Sequence, residues 1–394
     1  MVNFKEESAK IKDEIINIRR TLHMNPETGY EEFATSKLIK EKLDELGIPY
    51  KSFAGTGVCG IIRGENSDNG RVIGLRADID ALPMEDKKKC LYASKVKGKM
   101  HGCGHDGHTA ILLGVAQILS RNTECFGGTI KIIFEPAEET IGGAKVMIEE
   151  GVLDNPKVDV MYGLHMEETV NVGQIMVKKG TVNAASNPFE IKIIGKGAHG
   201  AYPSEAIDPI IAASQMILGL QTIVSREIYP ADPAVVTVGT IHGGTAQNII
   251  PDEVVISGII RTMTREDREY SINRVDEIIN GIAMATRTKA EIEIAESYPC
   301  LVNDDKMVDL LKESAAKIIG QENVLDQKNP KMGVESFAYF ANEVPSVFYF
   351  LGCRNEEKGI IHPAHSSLFD IDEDSLADGV AIGCQLAVDY LTRK

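Results

Sequence analysis

The sequence is short of everything that marks a membrane-spanning or secreted chain. Its 394 residues contain no apolar run near the roughly 20 residues needed to cross a bilayer. The opening stretch, MVNFKEESAKIKDEIINIRR, is charged from Lys5 and lacks an apolar core of signal-peptide length. The seven cysteines are odd in number and scattered, with no CxxC pair, which argues against a disulfide framework and for a reducing cytoplasm. Positive charge is also scarce. The 42 Lys and Arg face 58 Asp and Glu, and a formal net charge of −16 disfavours nucleic acid or an anionic membrane as partner. There is no P-loop, no H-E-x-x-H, no G-x-S-x-G, no internal repeat and no low-complexity tract.

What remains is ordinary soluble composition, 43% hydrophobic and 25% charged, in a chain long enough for two domains. Ile11, Ile15, Ile18 and Leu22 predict a first helix, and Leu38, Ile39, Leu43 and Leu46 a second that stops at Gly47. Short apolar runs follow at 57–62, 71–75, 128–134 and 158–164, separated by helical stretches at 109–120 and 142–151. Strands alternating with helices predict an α/β domain with a mixed, mostly parallel sheet flanked by helices. From about residue 184 the rhythm becomes strand–helix–strand–strand–helix–strand, the ferredoxin-like α+β unit. Alternation resumes with a helix at 305–319, another around ESFAYFAN, the strand SVFYFLG and a last helix from about 373. The expected organisation is a catalytic domain formed by 1–183 and 297–394, interrupted by a satellite domain at 184–296.

The chemistry concentrates in MHGCGHDGHTA, residues 100–110, which holds three of the nine histidines together with Cys103 and Asp106. Gly102, Gly104 and Gly107 predict a loop here, with Thr109 capping the helix that follows. Such a loop can converge on the C-terminal edge of a sheet, where α/β sites form. Cys103 and His105 would point the same way and share a metal pair, or Cys103 would serve as a nucleophile with a histidine base. In IIFEPAEE, Glu138 and Glu139 follow a strand; one carboxylate can hold a metal while its neighbour takes a proton from the metal's water, unless the pair is a solvated acidic loop. His165 closes the apolar strand of YGLHMEE, and His362 and His365 lie near the C-terminus. Together these exceed the needs of one tetrahedral zinc, and a dinuclear site absorbs the surplus. Asp78 and Asp80 in LRADIDALP are either partners orienting a ligating imidazole or turn residues. GKGAHG, 195–200, matches a dinucleotide fingerprint, but Pro203 and Asp208-Pro209 prevent a helix from opening on its third glycine.

Nine motifs in order carry a resemblance: RRTLHMNPETGYEE, LRADIDALPMED, MHGCGHDGHTA, FEPAEE, GLHM, GKGAHGAYPSEAIDPI, GGTAQNIIPDE, GIIRT and HSSLFDIDED. The chain resembles the M20 metallopeptidase and amidohydrolase family, in its aminoacylase and amino-acid-conjugate hydrolase branch. The resemblance implies a phosphorylase/hydrolase-like catalytic domain and two divalent ions per subunit, zinc or else manganese, cobalt or nickel. It makes Cys103, His105, Glu139, His165 and His365 the ligands and Glu138 the general base. Asp78 would support the ligands from behind, and His199, Asn248 and Arg261 would meet the substrate's oxyanion or carboxylate, sometimes from the partner subunit. A homodimer or homotetramer through the satellite domain is expected. The implied reaction is hydrolysis of the amide bond in N-acyl amino acids. The alternatives are a metallocarboxypeptidase acting on short peptides and an inactive protein that holds a small ligand in the metal cleft. The chain departs from the family at ESF (Glu335, Ser336, Phe337) in place of EDF, and at HSS (365–367) in place of HSP. The broader superfamily has His where Arg76 stands and Asp where His105 stands.

Overall fold

A computed structural model describes residues 2–66, 69–140 and 142–393. The chain divides into two compact units, one formed by Met1–Val182, Val302–Asn329 and Ser336–Lys394, the other by Asn183–Leu301 and Pro330–Glu335. The first unit opens with α1 (Phe4–Lys10), α2 (Lys12–Met24) and α3 (Phe33–Glu45). The strands β1 (Tyr50–Phe53), β2 (Gly57–Arg63) and β3 (Val72–Asp78) lead to α4 (His105–Ser120) and β4 (Thr129–Glu135). Then come α5 (Gly143–Glu149), β5 (Val160–Asn171) and β6 (Ile175–Val177), and the chain leaves through β7 (Gly180–Asn183). The second unit holds β8 (Ala185–Ile194), β9 (Ala198–His199), α6 (Pro209–Thr222), β10 (Ala234–Gly243), β11 (Ile249–Ile250), β12 (Glu253–Thr262), α7 (Arg265–Thr286) and β13 (Lys289–Ile294). The return passes through β14 (Leu301–Asn303) to α8 (Asp305–Ile319), β15 (Val324–Asp326), α9 (Phe337–Glu343), β16 (Ser346–Arg354) and α10 (Asp374–Thr392).

In the first unit eight strands form one sheet in the order β1-β2-β4-β3-β5-β16-β6-β15. The pairs β3/β4, β3/β5, β5/β16 and β6/β15 are parallel; β1/β2, β2/β4 and β6/β16 are antiparallel. Every residue of β3 (VIGLRAD) and β4 (TIKIIFE) is buried, as expected of central strands covered on both faces. Helices α1, α2, α4, α8 and α10 pack on one another, while α5 and α9 form a separate pair. Ile15, Leu113, Ile132, Tyr162, Leu351 and Ile382 belong to the hydrophobic core under α1, α2, α4, α8 and α10. The expected mixed, mostly parallel α/β architecture is what forms.

One local expectation fails. The helix of the histidine-rich segment begins at His105, not at Thr109, and its N-cap is Gly104 at φ +100°. That conformation is costly for any residue with a Cβ, so Gly104 supplies the turn. Gly107, by contrast, sits inside the helix. A Cβ there would stand 2.9 Å from Ile371 Cδ1 and 3.1 Å from Met166 Cε, so this glycine permits close packing and does not loosen the chain. Thr109 uses its hydroxyl to bond the carbonyl of Asp78 at 3.0 Å.

In the second unit the order β10-β12-β8-β13 is antiparallel throughout, with α6 packed on α7. This is the ferredoxin-like arrangement, with its own core of Ile191, Ile193, Met216, Ile256 and Ile279. GKGAHG opens no helix, since its Ala198 and His199 pair instead with Ile250 and Ile249.

Candidate metal centre

Three parallel strands deliver the site. Asp78 and Glu135 end β3 and β4 directly opposite each other. β5 pairs with β3 only as far as Gly163, opposite Arg76, and beyond that point continues its ladder with β16. His165 therefore does not close its strand, which continues to Asn171; what ends before it is the pairing with β3, and the sheet edge opens there. After β4 the chain turns through Ala137 at φ +56°. Glu32 Oε1 catches the Ala137 N–H at 2.8 Å and Asp80 Oδ2 catches the Glu139 N–H at 3.0 Å, which fixes the backbone carrying both glutamates.

These elements bring the expected donors together. The donor atoms of Cys103, His105 and His165 lie within 4.8 Å of one another, as do those of Cys103, Glu139 and His365, and those of His105, Glu138 and Glu139. Cys103 Sγ is 3.3 Å from His165 Nε2. His365, at φ +62°, is pinned by its N–H to the Gly102 carbonyl and places Nε2 3.2 Å from Glu139 Oε1. His362 joins none of these groups.

Hydrogen bonds decide which imidazole nitrogens remain available. His105 Nδ1 faces two acceptors, the Asp80 carbonyl at 3.0 Å and Asp80 Oδ1 at 3.2 Å, so it carries a proton, and Nε2 is the nitrogen left unbonded. His165 Nδ1 likewise donates to the Met166 carbonyl at 2.6 Å and aims Nε2 at Cys103. His108 differs, because its Nε2 accepts the Met166 N–H at 2.8 Å and its Nδ1 donates to Asp78 Oδ1 at 2.6 Å. Both its nitrogens are committed. His101 is buried with neither nitrogen bonded, and burial pushes it down to about 3, so it stays neutral.

The donor set fits a divalent cation on one further observation. His105 Nε2 is buried without any hydrogen-bond partner, 3.9 Å from Glu139 Oε1, a buried carboxylate oxygen that His365 Nε2 approaches at 3.2 Å; a buried orphan and a buried charge are both costly. A cation among these donors satisfies both. Burial would raise the Asp78 carboxyl, but Arg76, His105 and His108 hold it well below the usual range. Burial, with His108 beside it, keeps His165 neutral. Burial and then Glu139 push the Cys103 thiol well up, opposite to the depression a nucleophilic cysteine needs.

In the second unit, Ala201 N–H donates to His199 Nδ1 at 3.1 Å, leaving an Nε2–H on an exposed ring. Asn248 is its neighbour across the ribbon and accepts the Gly200 N–H on its carbonyl at 2.7 Å. Arg261 is not with them. Gly197 near His199 bonds Asp252, at the start of β12, whereas Arg261 lies eight residues along β12 from Glu253, about 26 Å at roughly 3.3 Å per residue. Burial lowers the Arg261 guanidinium, whose Nη1 reaches the Met332 carbonyl at 3.5 Å.

Some site-building residues escape a reading of motifs. Arg76 is buried and bonds Glu135 and Asp78 at 2.6 Å each. Arg19 is fully buried and bonds Asp106 and Asp370 at 2.7 Å each, and His23 Nδ1 is also 2.7 Å from Asp106. A signal for Arg19 existed, since it occupies the apolar face set by Ile15, Ile18 and Leu22.

Such donors beside paired glutamates, with the Cys103 thiol pushed up instead of activated, fit a metal-dependent hydrolase. Comparison with known proteins makes this specific. The chain belongs to peptidase family M20/M25/M40, whose model matches residues 74–389. It is 42% identical over 382 residues to an N-acetyl-L-cysteine deacetylase of Bacillus subtilis, covering 95% of this chain and 89% of that one. It is 40% identical over 391 residues to thermostable carboxypeptidase 2 of Saccharolobus solfataricus, covering 98% of each. A solved dinuclear metal-binding peptidase of the M20 family, also from Bacillus subtilis, superposes with a TM-score of 0.84 at 34% identity, over 97% of this chain and 99% of that one. The protein is an enzyme that hydrolyses amide bonds.

Proposed function

We propose that the enzyme releases amino acids from N-acyl amino acids, using two divalent cations held by Cys103, His105, Glu139, His165 and His365. The observation that carries this reading is the orphaned His105 Nε2, buried 3.9 Å from Glu139 Oε1 and grouped with Glu138. Bound there, the cations would acidify a water and polarise the scissile carbonyl. Thiolate and imidazole together suit zinc, with manganese, cobalt or nickel as alternatives. Glu138 takes the proton of the attacking water and returns it to the departing amine. The Nε2–H of His199 is a donor suited to the developing oxyanion, and Asn248 stands next to it. Arg261 offers a planar fork to the free carboxylate of the amino acid. Asp78 orients the cluster from behind, through His108.

His199 and Arg261 stand at opposite ends of β12, farther apart than a small N-acyl amino acid can reach. A substrate that touches both takes them from two copies of the chain, which supports a homodimer or homotetramer joined through the second unit. Among the described residues no helix is long and apolar enough to cross a membrane, and none of the seven cysteines is in a disulfide, which supports a cytoplasmic location.

The similarity to a carboxypeptidase supports a second reading, release of C-terminal residues from short peptides by the same groups. A panel of N-acetyl amino acids and dipeptides, offered to metal-stripped protein refilled with single ions, separates the two. Faster release from the N-acetyl substrates is expected. Preference for dipeptides makes the enzyme a carboxypeptidase, and no turnover with any refilled ion leaves the binding-protein reading.

A further inference from the structure

The departure from the family at position 336 has a place in the site. Glu138 Oε1 accepts the backbone N–H of Ser336 at 3.1 Å. The Ser336 hydroxyl accepts from Arg76 Nη2 at 2.9 Å and donates to Glu135 Oε1 at 2.5 Å. Arg76 continues to Asp78, Asp78 to His108, His108 to the Met166 N–H, and the Met166 carbonyl to His165 Nδ1. Arg76, Asp78, Glu135, His108, Met166 and Ser336 are each 2% exposed or less. One buried hydrogen-bonded path therefore joins the glutamate read as the base to a histidine read as a ligand. Such a network has one satisfied arrangement and fixes its members in it.

A hydroxyl is both donor and acceptor, whereas an ionised carboxylate only accepts. The aspartate usual at this position in the family could take the Arg76 bond but would repel Glu135. Serine bridges the two, and adds no charge to a cluster that already sets two carboxylates against one guanidinium. The bridge holds residue 336 by its side chain while its N–H holds Glu138.

We propose that Ser336 is the positioning residue of Glu138, its hydroxyl locked between Arg76 and Glu135 so that its backbone N–H aims the base. This rests on the reading of Glu138 as the base. The test compares Ser336→Ala, Ser336→Thr and Glu138→Gln in the metal-loaded enzyme, with metal content and thermal unfolding measured alongside. Ser336→Ala is expected to lower kcat by about 10- to 100-fold, the scale on which small misplacements of reacting groups act. KM and metal content should stay within about 2-fold of the native enzyme, and Ser336→Thr, which keeps the hydroxyl, should recover most of kcat. If Ser336→Ala does not fold, Ser336→Cys, of similar size but a weaker donor, carries the same comparison. Native kcat in the folded variant, or equal losses in the alanine and threonine variants, overturns the proposal. Turnover by Glu138→Gln overturns the reading of the base and the proposal with it; an inactive Glu138→Gln beside an unaffected Ser336→Ala overturns the proposal alone.

Discussion

Met166 donates its backbone N–H to His108 Nε2 at 2.8 Å, and that bond removes His108 from the set of possible ligands. His105, one helical turn earlier, keeps its Nε2 unbonded. The two histidines should therefore respond differently to mutation. His105→Ala is expected to lose metal stoichiometry however much metal is supplied. His108→Gln should keep full stoichiometry at saturation, with affinity or activity reduced about 10- to 100-fold, as for removal of a partner behind a ligand. Elemental analysis after equilibrium dialysis reads both, and a missing ion in saturated His108→Gln would contradict the assignment.

Gly104 holds the turn between Cys103 and His105 at φ +100°, and a Cβ there would also stand 3.0 Å from Met166 Cβ. Gly104→Ala should cost about 1–3 kcal/mol of stability, the range for a residue forced into such a conformation. It should lower activity as well, because the strain lies between two donors. Chemical denaturation and a kinetic assay check the pair of effects; unchanged stability would show that the turn tolerates a side chain.

Arg19 neutralises Asp106 and Asp370 in the interior, with Glu373 at 3.3 Å. Arg19→Met leaves those carboxylates without their shared cation. Removing one member of a buried ionic cluster typically costs about 3–5 kcal/mol, so the urea midpoint should fall accordingly. A loss below about 1 kcal/mol, the scale of an exposed ion pair, would mean the cluster is solvated.

The same cluster sets an acid limit. Burial would raise the Asp370 carboxyl, but Arg19 and Lys88 outweigh it and hold it below the ordinary range. A carboxylate depressed in the folded state stabilises fully above its unfolded value of about 3.9, and that contribution drains away as pH falls through the folded value. The stability advantage of the native enzyme over Asp370→Asn should be flat from about pH 7 to 5 and shrink below about pH 4. Urea titrations across that range measure it, and an advantage that grows on acidification would reverse the sign.

Much of this architecture is legible in the sequence because it is locally encoded. The alternation of apolar runs with helical stretches reports the mostly parallel sheet, and the order of motifs picks out side chains that the fold brings within reach of one another. What escapes is set by residues far away in the chain. The start of α4 reads as loop because Gly107 reads as flexibility, when its absent side chain makes room for Ile371 and Met166. The substitution at Ser336 is visible, but its partners come from β3 and β4, which no spacing rule connects to it. The separation of His199 from Arg261 likewise appears only once β12 runs between them.

The central claim is that Glu138 moves the proton while other side chains hold the metal. Metal content and turnover measured together on Glu138→Gln test it most directly. The account predicts two bound ions per subunit and no detectable hydrolysis of an N-acyl amino acid; a variant that hydrolyses at the native rate, or binds no metal, contradicts it.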